Sequence, residues 1–377
     1  MQNVLKERKH EFFNISLGPA LPVEDDEVHS WTAVLDEHLS DGASLASIAI
    51  GNNGEEDRAS GEARIQVPGD CVNALSVGAA DSSRSGWSRA RYSAVGPGRS
   101  PGRIKPDIIY FGGDGREPFI VYDVDDAPRI AATVGTSFAS PAALRCAVGL
   151  RAHFGDRITP LGLKALLVHQ ADRSDKDPAD VGWGAIRSSI DDFVVCRDRS
   201  VRVLYQGELN PAQYLRAIIP LPQEQINGLV TLTASFCYAT PTDPQDPGSY
   251  TKSGLEVVFR PHAAKYKEGA TEPTTRPFFQ RSQYDTEHEL RNDAQKWEPV
   301  MRASHNFQGK SLFRPVFDIH YNARSAGGSA LGAERIRYAL VVSVSTKKDI
   351  DLYEIVAREY AGRLEALQPR IDIPIMT

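Results

Sequence analysis

No apolar run in the 377 residues approaches the ~20 that a helix needs to cross a bilayer. The opening "MQNVLKERKHEFF" is polar and carries no secretory signal. Cysteine is scarce: Cys71, Cys146, Cys196 and Cys237 are scattered, with no CxxC spacing. That speaks against a disulfide framework or a zinc site and makes a reducing compartment, the cytoplasm, the expected location. An excess of basic charge is also missing. The chain has 43 Lys and Arg against 49 Asp and Glu, a net charge of −6. A nucleic-acid binder would be expected to carry a basic stripe, so neither nucleic acid nor a membrane is an expected partner.

What is present is a globular composition. With 41% hydrophobic residues the chain can bury a sizeable core, and its length suggests two or three domains. The first half alternates two textures. "FFNISLG" (Phe12–Gly18) reads as a short strand. In "EDDEVHSWTAVLDEHLSDGA", Val28, Trp31, Val34, Leu35 and Leu39 recur at helical spacing, with Asp25 or Asp26 as the cap and Gly42 past the end. "SLASIAIG" (Ser44–Gly51), "VNALSVGAADS" (Val72–Ser82) and "KPDIIYFGG" (Lys105–Gly113) add strands, which predicts parallel crossovers. One helix runs from near Ser137 to Gly155. The next has Thr159 as N-cap and Pro160 at its first position, reaching about Gln170.

From about Val201 the runs turn β-type: "VRVLYQGEL", "YLRAIIPLP", "NGLVTLTASFCYAT", "SGLEVVFRPH", "FRPVFDIHYNA" and "RIRYALVVSVST". An antiparallel sandwich-like unit is expected there, ending in the helical "DLYEIVAREYAGRLEAL". Lys265 to Trp297 reads as a long polar loop with a short helix. The expected division is 1–195 and 200–377, and no internal repeat is evident.

The chemistry centres on "ATVGTSFASPAALRCAVGLRAHFG", Ala132 to Gly155. A hydroxyl at a helix mouth faces unpaired backbone N–H groups and a favourable dipole for developing negative charge. Taken alone, the stretch reads rather as a Ser/Thr N-cap on a buried helix.

Other segments decide the matter. "GTSFASP" (Gly135–Pro141) resembles the nucleophile signature of the subtilisin-like serine proteases, Gly-Thr-Ser-x-Ala-x-Pro. In the same order, "NISLG" (Asn14–Gly18) resembles the strand lining the substrate groove, and "IAIGNNG" (Ile48–Gly54) the block whose asparagine donates to the oxyanion. "VNALSVGAADSS", "YSAVGPGRSPGRIKPDII" and "GWGAI" (Gly182–Ile186) are similar to further family blocks. The resemblance covers about Glu11 to Ser189, and ordered blocks are far more specific than any one motif. It implies an α/β fold: an incomplete subtilisin-like parallel sheet with flanking helices, followed by the β-rich unit. It implies Ser137 as nucleophile and Asn52 as oxyanion donor. Ser16, Leu17 and Gly18 would form one groove wall and Ala49, Ile50 and Gly51 the other. Ile50 stands where the family often has alanine, which would narrow the first substrate pocket.

The family's Asp-Ser/Thr-Gly and His-Gly-Thr motifs, expected upstream of "NISLG", do not appear. His10 lacks the Gly-Thr. His29 and His38 lie on the predicted helix, on its wet face, and the remaining histidines follow the nucleophile or sit in the second half. Without a base and its carboxylate, only roughly 10³–10⁴ of rate over water would remain. The expectation is therefore the C-terminal portion of a larger protease, with the catalytic Asp and His supplied by an N-terminal portion and peptide or protein as substrate. The competing reading is a non-catalytic subtilisin-fold binding module. In its long β-rich extension and lack of a secretory signal the chain resembles the intracellular bacterial subtilisin-like proteases paired with an AAA-type ATPase in plasmid-maintenance or antiphage modules. No cofactor is expected. "YDVDD" (Tyr122–Asp126) offers oxygens for calcium but lacks a spaced ligand loop.

Overall fold

The computed structural model describes residues 5, 10–123, 129–196, 199–279, 295–325, 328–330 and 332–367. Strands β1 (Phe12–Ile15), β2 (Leu45–Ala49), β3 (Leu75–Ala80) and β4 (Ile108–Phe111) pair in that order, all parallel. β3 is buried throughout and β2 everywhere but Ala49. A parallel sheet is covered on both faces, which is why these strands are apolar runs rather than alternating ones. On one face, helix α1 (Ser30–Leu39) packs Leu35 and Leu39 against Ile15, Ala46 and Ile48. On the other, helix α2 (Thr136–Phe154) lays Ala139, Ala143 and Ala147 against Leu45, Leu75 and Val77. Alanines four apart share one helix face and let it approach the sheet closely.

The cap of α1 differs from expectation. His29, not Asp25 or Asp26, is its N-cap, and its Nδ1 accepts the Trp31 N–H at 3.2 Å. His38 is half-buried against the Phe13 ring rather than on a wet face. Asp36 is fully buried, accepting from Cys71 Sγ, the Val72 and Asn73 amides and the Tyr250 hydroxyl. Burial pushes its carboxyl up against those four bonds.

An antiparallel ribbon, β5 (Phe119–Asp123) and β6 (Arg129–Thr133), delivers the chain into α2. Helix α3 (Pro160–Gln170) begins on Thr159, whose side chain accepts the Gly162 N–H, with Pro160 in the first turn. Short helices α4 (Pro178–Val181) and α5 (Asp191–Val194) follow.

The remainder is antiparallel. β7 (Ser200–Leu209), β9 (Leu229–Tyr238), β11 (Val300–Gln308) and β14 (Ile336–Thr346) form one sheet in the order β11-β9-β14-β7. β8 (Tyr214–Ile218) and β10 (Ser253–Arg260) flank β12 (Val316–Ser325) in a second, with the short β13 (Gly328–Ser329) at one end. β11 and the β5–β6 ribbon have no counterpart in the sequence reading. Helix α6 (Leu352–Glu359) is the last helix among the described residues, and a turn with an Ala361–Leu364 bridge follows it.

β14 serves two cores at once. Tyr338, Leu340 and Val342 join Phe259, Phe317 and Ile319 of the second sheet. Ala339 and Val341 join the α/β core, where α3 lies. Helix α3 is accordingly buried on every side from Pro160 to His169. Polar bonds cross the same boundary: Asn73 donates to Thr240 O at 2.9 Å and accepts the Thr240 N–H at 3.0 Å. Glu298 accepts the Gly102 N–H at 2.9 Å.

His169 sits in this layer, its Nδ1 3.0 Å from Ser235 Oγ and its Nε2 2.7 Å from Ser343 Oγ. Burial holds its pKa well below the ordinary imidazole value, and Arg202 and Arg302 push the same way. The folded chain keeps the ring neutral, whereas the unfolded chain protonates it near pH ~6.5. Stability linked to this residue is therefore complete above about pH 6.5 and is lost as pH falls, by at most ~1.4 kcal/mol per pH unit. Thermal unfolding between pH 8 and 5 should show that loss, and His169→Gln should flatten it. Equal slopes in the two proteins would place the acid sensitivity elsewhere.

Candidate active site

A cleft of about 410 Å³ opens beyond the C-terminal ends of β1 and β2. Open α/β sheets place ligands there because side chains after successive strands converge. Ser16, Leu17, Gly18 and Pro19 follow β1; Ala49 ends β2, with Gly51, Asn52 and Asn53 beyond it; Thr136 and Ser137 open α2. Glu56, Gln66 and Val67 complete the lining from a loop.

Ser137 is the second residue of α2 and half-buried. Gly135, the N-cap, has φ 152° and ψ 153°, a region essentially confined to glycine. Its N–H is shared between Gly112 O at 3.1 Å and the Tyr92 hydroxyl at 3.0 Å. Tyr92 in turn donates to Gly113 O at 2.8 Å, and burial lifts its phenol to about 12, so it remains protonated.

Asn52 is exposed at the rim. Its Oδ1 accepts the Thr136 N–H at 3.0 Å and the Thr136 hydroxyl at 2.9 Å. A backbone N–H can only donate, so the oxygen of this amide must face Thr136. The Nδ2 group is thereby turned away from Thr136, with its donors uncommitted to that residue. A Cβ on Gly135 would lie 3.6 Å from that nitrogen, which sets it beside the mouth of α2.

The β1 side is tied to the same helix. Ser16 Oγ donates to Ser137 O at 3.1 Å, and Asn14 Nδ2 donates to Ser16 Oγ at 2.8 Å. Asn14 Oδ1 accepts from Ser140 Oγ at 2.7 Å, and Ser47 Oγ donates to Ser140 O at 2.8 Å. Gly18 passes so close to the neighbouring loop that a Cβ would meet Val67 O at 2.2 Å. Leu17, 66% exposed, stands open to solvent.

Ile50 is the predicted residue that the structure keeps out of the cleft. Its side chain is 0% exposed and packs with Val23, Ile65, Val67 and Ala94. Successive side chains along an extended segment point to opposite sides, so Ala49 and Gly51 line the cleft and Ile50 turns into the core. The expected narrowing of a pocket by Ile50 is corrected accordingly. Glu56, Gln66 and Val67 went unpredicted. Gln66 is placed by its N–H on Ile50 O at 2.8 Å, a long-range contact with no periodic signature.

Among the described residues, no histidine ring is hydrogen-bonded to Ser137. His29 caps α1, His153 packs edge-on to Phe154, and His169 is bonded to two serines. His262 packs on Phe313, His305 contacts Phe278 O, and His320 stacks on Tyr214. Tyr122 and Asp123 belong to β5, while Val124–Asp126 of the calcium candidate lie outside the described residues. Among the described residues no group of three or more His, Cys, Asp or Glu is arranged to hold a metal ion.

Residues 2–184 match the model of the subtilase family. Comparison with curated proteins finds no match. Among solved structures, the self-cleaved protease domain of PatA is similar at 21% identity, over 51% of this chain and 63% of that one, with a TM-score of 0.36. A mutant of the PatA protease domain is similar at 19% identity, over 50% and 60%, TM-score 0.37. The epidermin leader peptide processing serine protease (EpiP) from Staphylococcus aureus is similar at 16%, over 51% and 52%, TM-score 0.37. This chain spans less than two thirds of each of these proteins.

The backbone at Gly135 supplies a direct check on the site's construction. Gly135→Ala forces a side chain into a glycine-only conformation and should lower stability by about 1–3 kcal/mol. Urea unfolding measures this, and an unchanged midpoint would mean that the helix mouth is not held as described.

Proposed function

We propose that this chain, whose residues 2–184 match the subtilase family, carries the nucleophile portion of a serine endopeptidase. The observation that carries the reading is the orientation of Asn52, whose oxygen is held by Thr136 so that its NH₂ is free to donate at the mouth of α2. In this reading Ser137 Oγ attacks the carbonyl carbon of a peptide laid between the Ser16–Gly18 and Ala49–Gly51 segments. The carbonyl oxygen becomes an oxyanion that receives Asn52 Nδ2 and the Ser137 N–H, in a first turn where no intrahelical acceptor precedes it. An imidazole takes the Oγ proton and returns it to the leaving amine, while a carboxylate fixes its tautomer.

The histidine and aspartate come, in this proposal, from a segment N-terminal to β1. Two observations support that assignment. Ser137 has no imidazole partner among the described residues. β1 pairs only with β2 among them, leaving a sheet edge that a further strand can extend. The four cysteines are free, and no helix among the described residues is long and apolar enough to cross a membrane. We place the protein in the cytoplasm on the thiols.

A second reading keeps the fold and drops the chemistry: a binding or scaffolding module, working with an AAA-type ATPase in plasmid maintenance or antiphage defence. The lack, among the described residues, of an imidazole bonded to Ser137 is equally what this reading expects.

Reaction with a fluorophosphonate probe, read by intact mass and peptide mapping, separates the two. With the upstream segment co-expressed, Ser137 should be labelled, and Asn52→Ala should slow labelling by about 10²–10³-fold. The chain without that segment should label at a small fraction of the rate. An unlabelled Ser137 in the reconstituted protein would contradict the endopeptidase reading and leave the binding module.

A further inference from the structure

A second concavity, about 820 Å³, opens in the β-rich half and shares no lining residue with the cleft at Ser137. Its floor is apolar. Leu221, Ile226 and Leu312 are buried, while Ile218 and Phe313 are 37% and 45% exposed. Its rim is cationic, with Lys310, Arg314 and Arg363. Among the described residues none of these three has an acidic partner within ion-pair distance, and the lining holds a single acid, Glu359. Arg216 binds Asp318 at 2.6 Å, an acid shared with Arg260, and Glu359 accepts the Gln223 N–H at 2.7 Å.

Arg314 also has a positive φ of 47°. Such a conformation persists in a residue other than glycine only where its surroundings impose it, and it clusters at binding sites. Its guanidinium lies 5.5 Å from the Phe313 ring centre. In a chain of net charge −6, three unmatched cations around an apolar floor select for an anion with an apolar body.

The strand at the edge of the cavity narrows the choice. β8 pairs with β12 alone among the described residues, its outward Ile218 carbonyl accepting the Tyr205 hydroxyl, and Arg216 and Ile218, on one face of β8, line the cavity. An extended chain can add to such an edge through its main chain while alternate side chains fill a neighbouring floor. A bare phosphate or sulfate would leave that floor uncovered. We infer that this cavity binds an acidic peptide segment in which apolar side chains alternate with Asp or Glu.

The test is fluorescence anisotropy of the full chain with a fluorescein-labelled octapeptide of alternating Leu and Glu. Saturable binding is expected, several-fold weaker at 500 mM than at 50 mM salt, and absent for the Leu and Lys peptide. The Lys310→Glu/Arg314→Glu variant should bind roughly tenfold more weakly, and Ser137→Ala should bind as wild type does. Should the double variant fail to fold, Arg314→Gly removes one charge and relieves the positive φ, and should weaken binding without loss of stability. Absence of binding, indifference to both charge variants, or tighter binding of a single-stranded oligonucleotide would overturn the proposal. Binding only after removal of residues 368–377 would do the same, by assigning the cavity to the chain's own end.

Discussion

Thr136 presents two donors to a single oxygen of Asn52, and the character of the site follows from that convergence. Each bond contributes only about 0.5–1.5 kcal/mol net, so their importance is directional. They decide which end of the amide faces α2 and which faces outward. They also bind the loop after β2 to the mouth of α2, as the Asn14–Ser16–Ser137 bonds bind the end of β1 to it. The cleft is thus held by neutral hydrogen bonds that join the ends of β1 and β2 to the mouth of α2.

That layer is not free-standing. α3 is enclosed on one side by α2 and the parallel sheet and on the other by the β11-β9-β14-β7 sheet. The sequence texture changes near residue 200, where β7 begins, yet the packing continues across the change. Asp36, in the first half, is satisfied partly by Tyr250 from the second, and Asn73 exchanges two bonds with Thr240. A buried carboxylate stripped of a donor is costly, typically ~1–3 kcal/mol or more. The β-rich half therefore supports the layer that carries the cleft, besides holding a cavity of its own.

Much of the α/β half was legible because its signals are local. Apolar runs gave β1 to β4, and Thr159 followed by Pro160 gave the start of α3. The antiparallel strands were legible where hydrophobicity alternates or runs on, as in Ile336–Thr346. β11 escaped because "VMRASHNFQ" is half polar and gains its place only by pairing with Leu229–Tyr238. The cap of α1 differs from the aspartates because the helix begins only at Ser30, so that His29 holds the cap position and its Nδ1 accepts the Trp31 N–H. Nothing local announces the burial of Asp36, whose four donors arrive from residues 71 to 73 and 250. At the candidate site, Ser137, Asn52 and most of the two segments that motif order singles out line one cleft. Which side chains point inward is a matter of strand phase, and that is where Ile50 departed from the reading.

The measurement that bears most directly on this account is a crystal structure of the reconstituted protein carrying a phosphonate on its reactive serine. The account predicts the adduct on Ser137 Oγ, with its anionic oxygen about 2.7–3.1 Å from Asn52 Nδ2. An adduct on a different serine, or an oxygen directed away from Asn52 with the amide flipped, would contradict it.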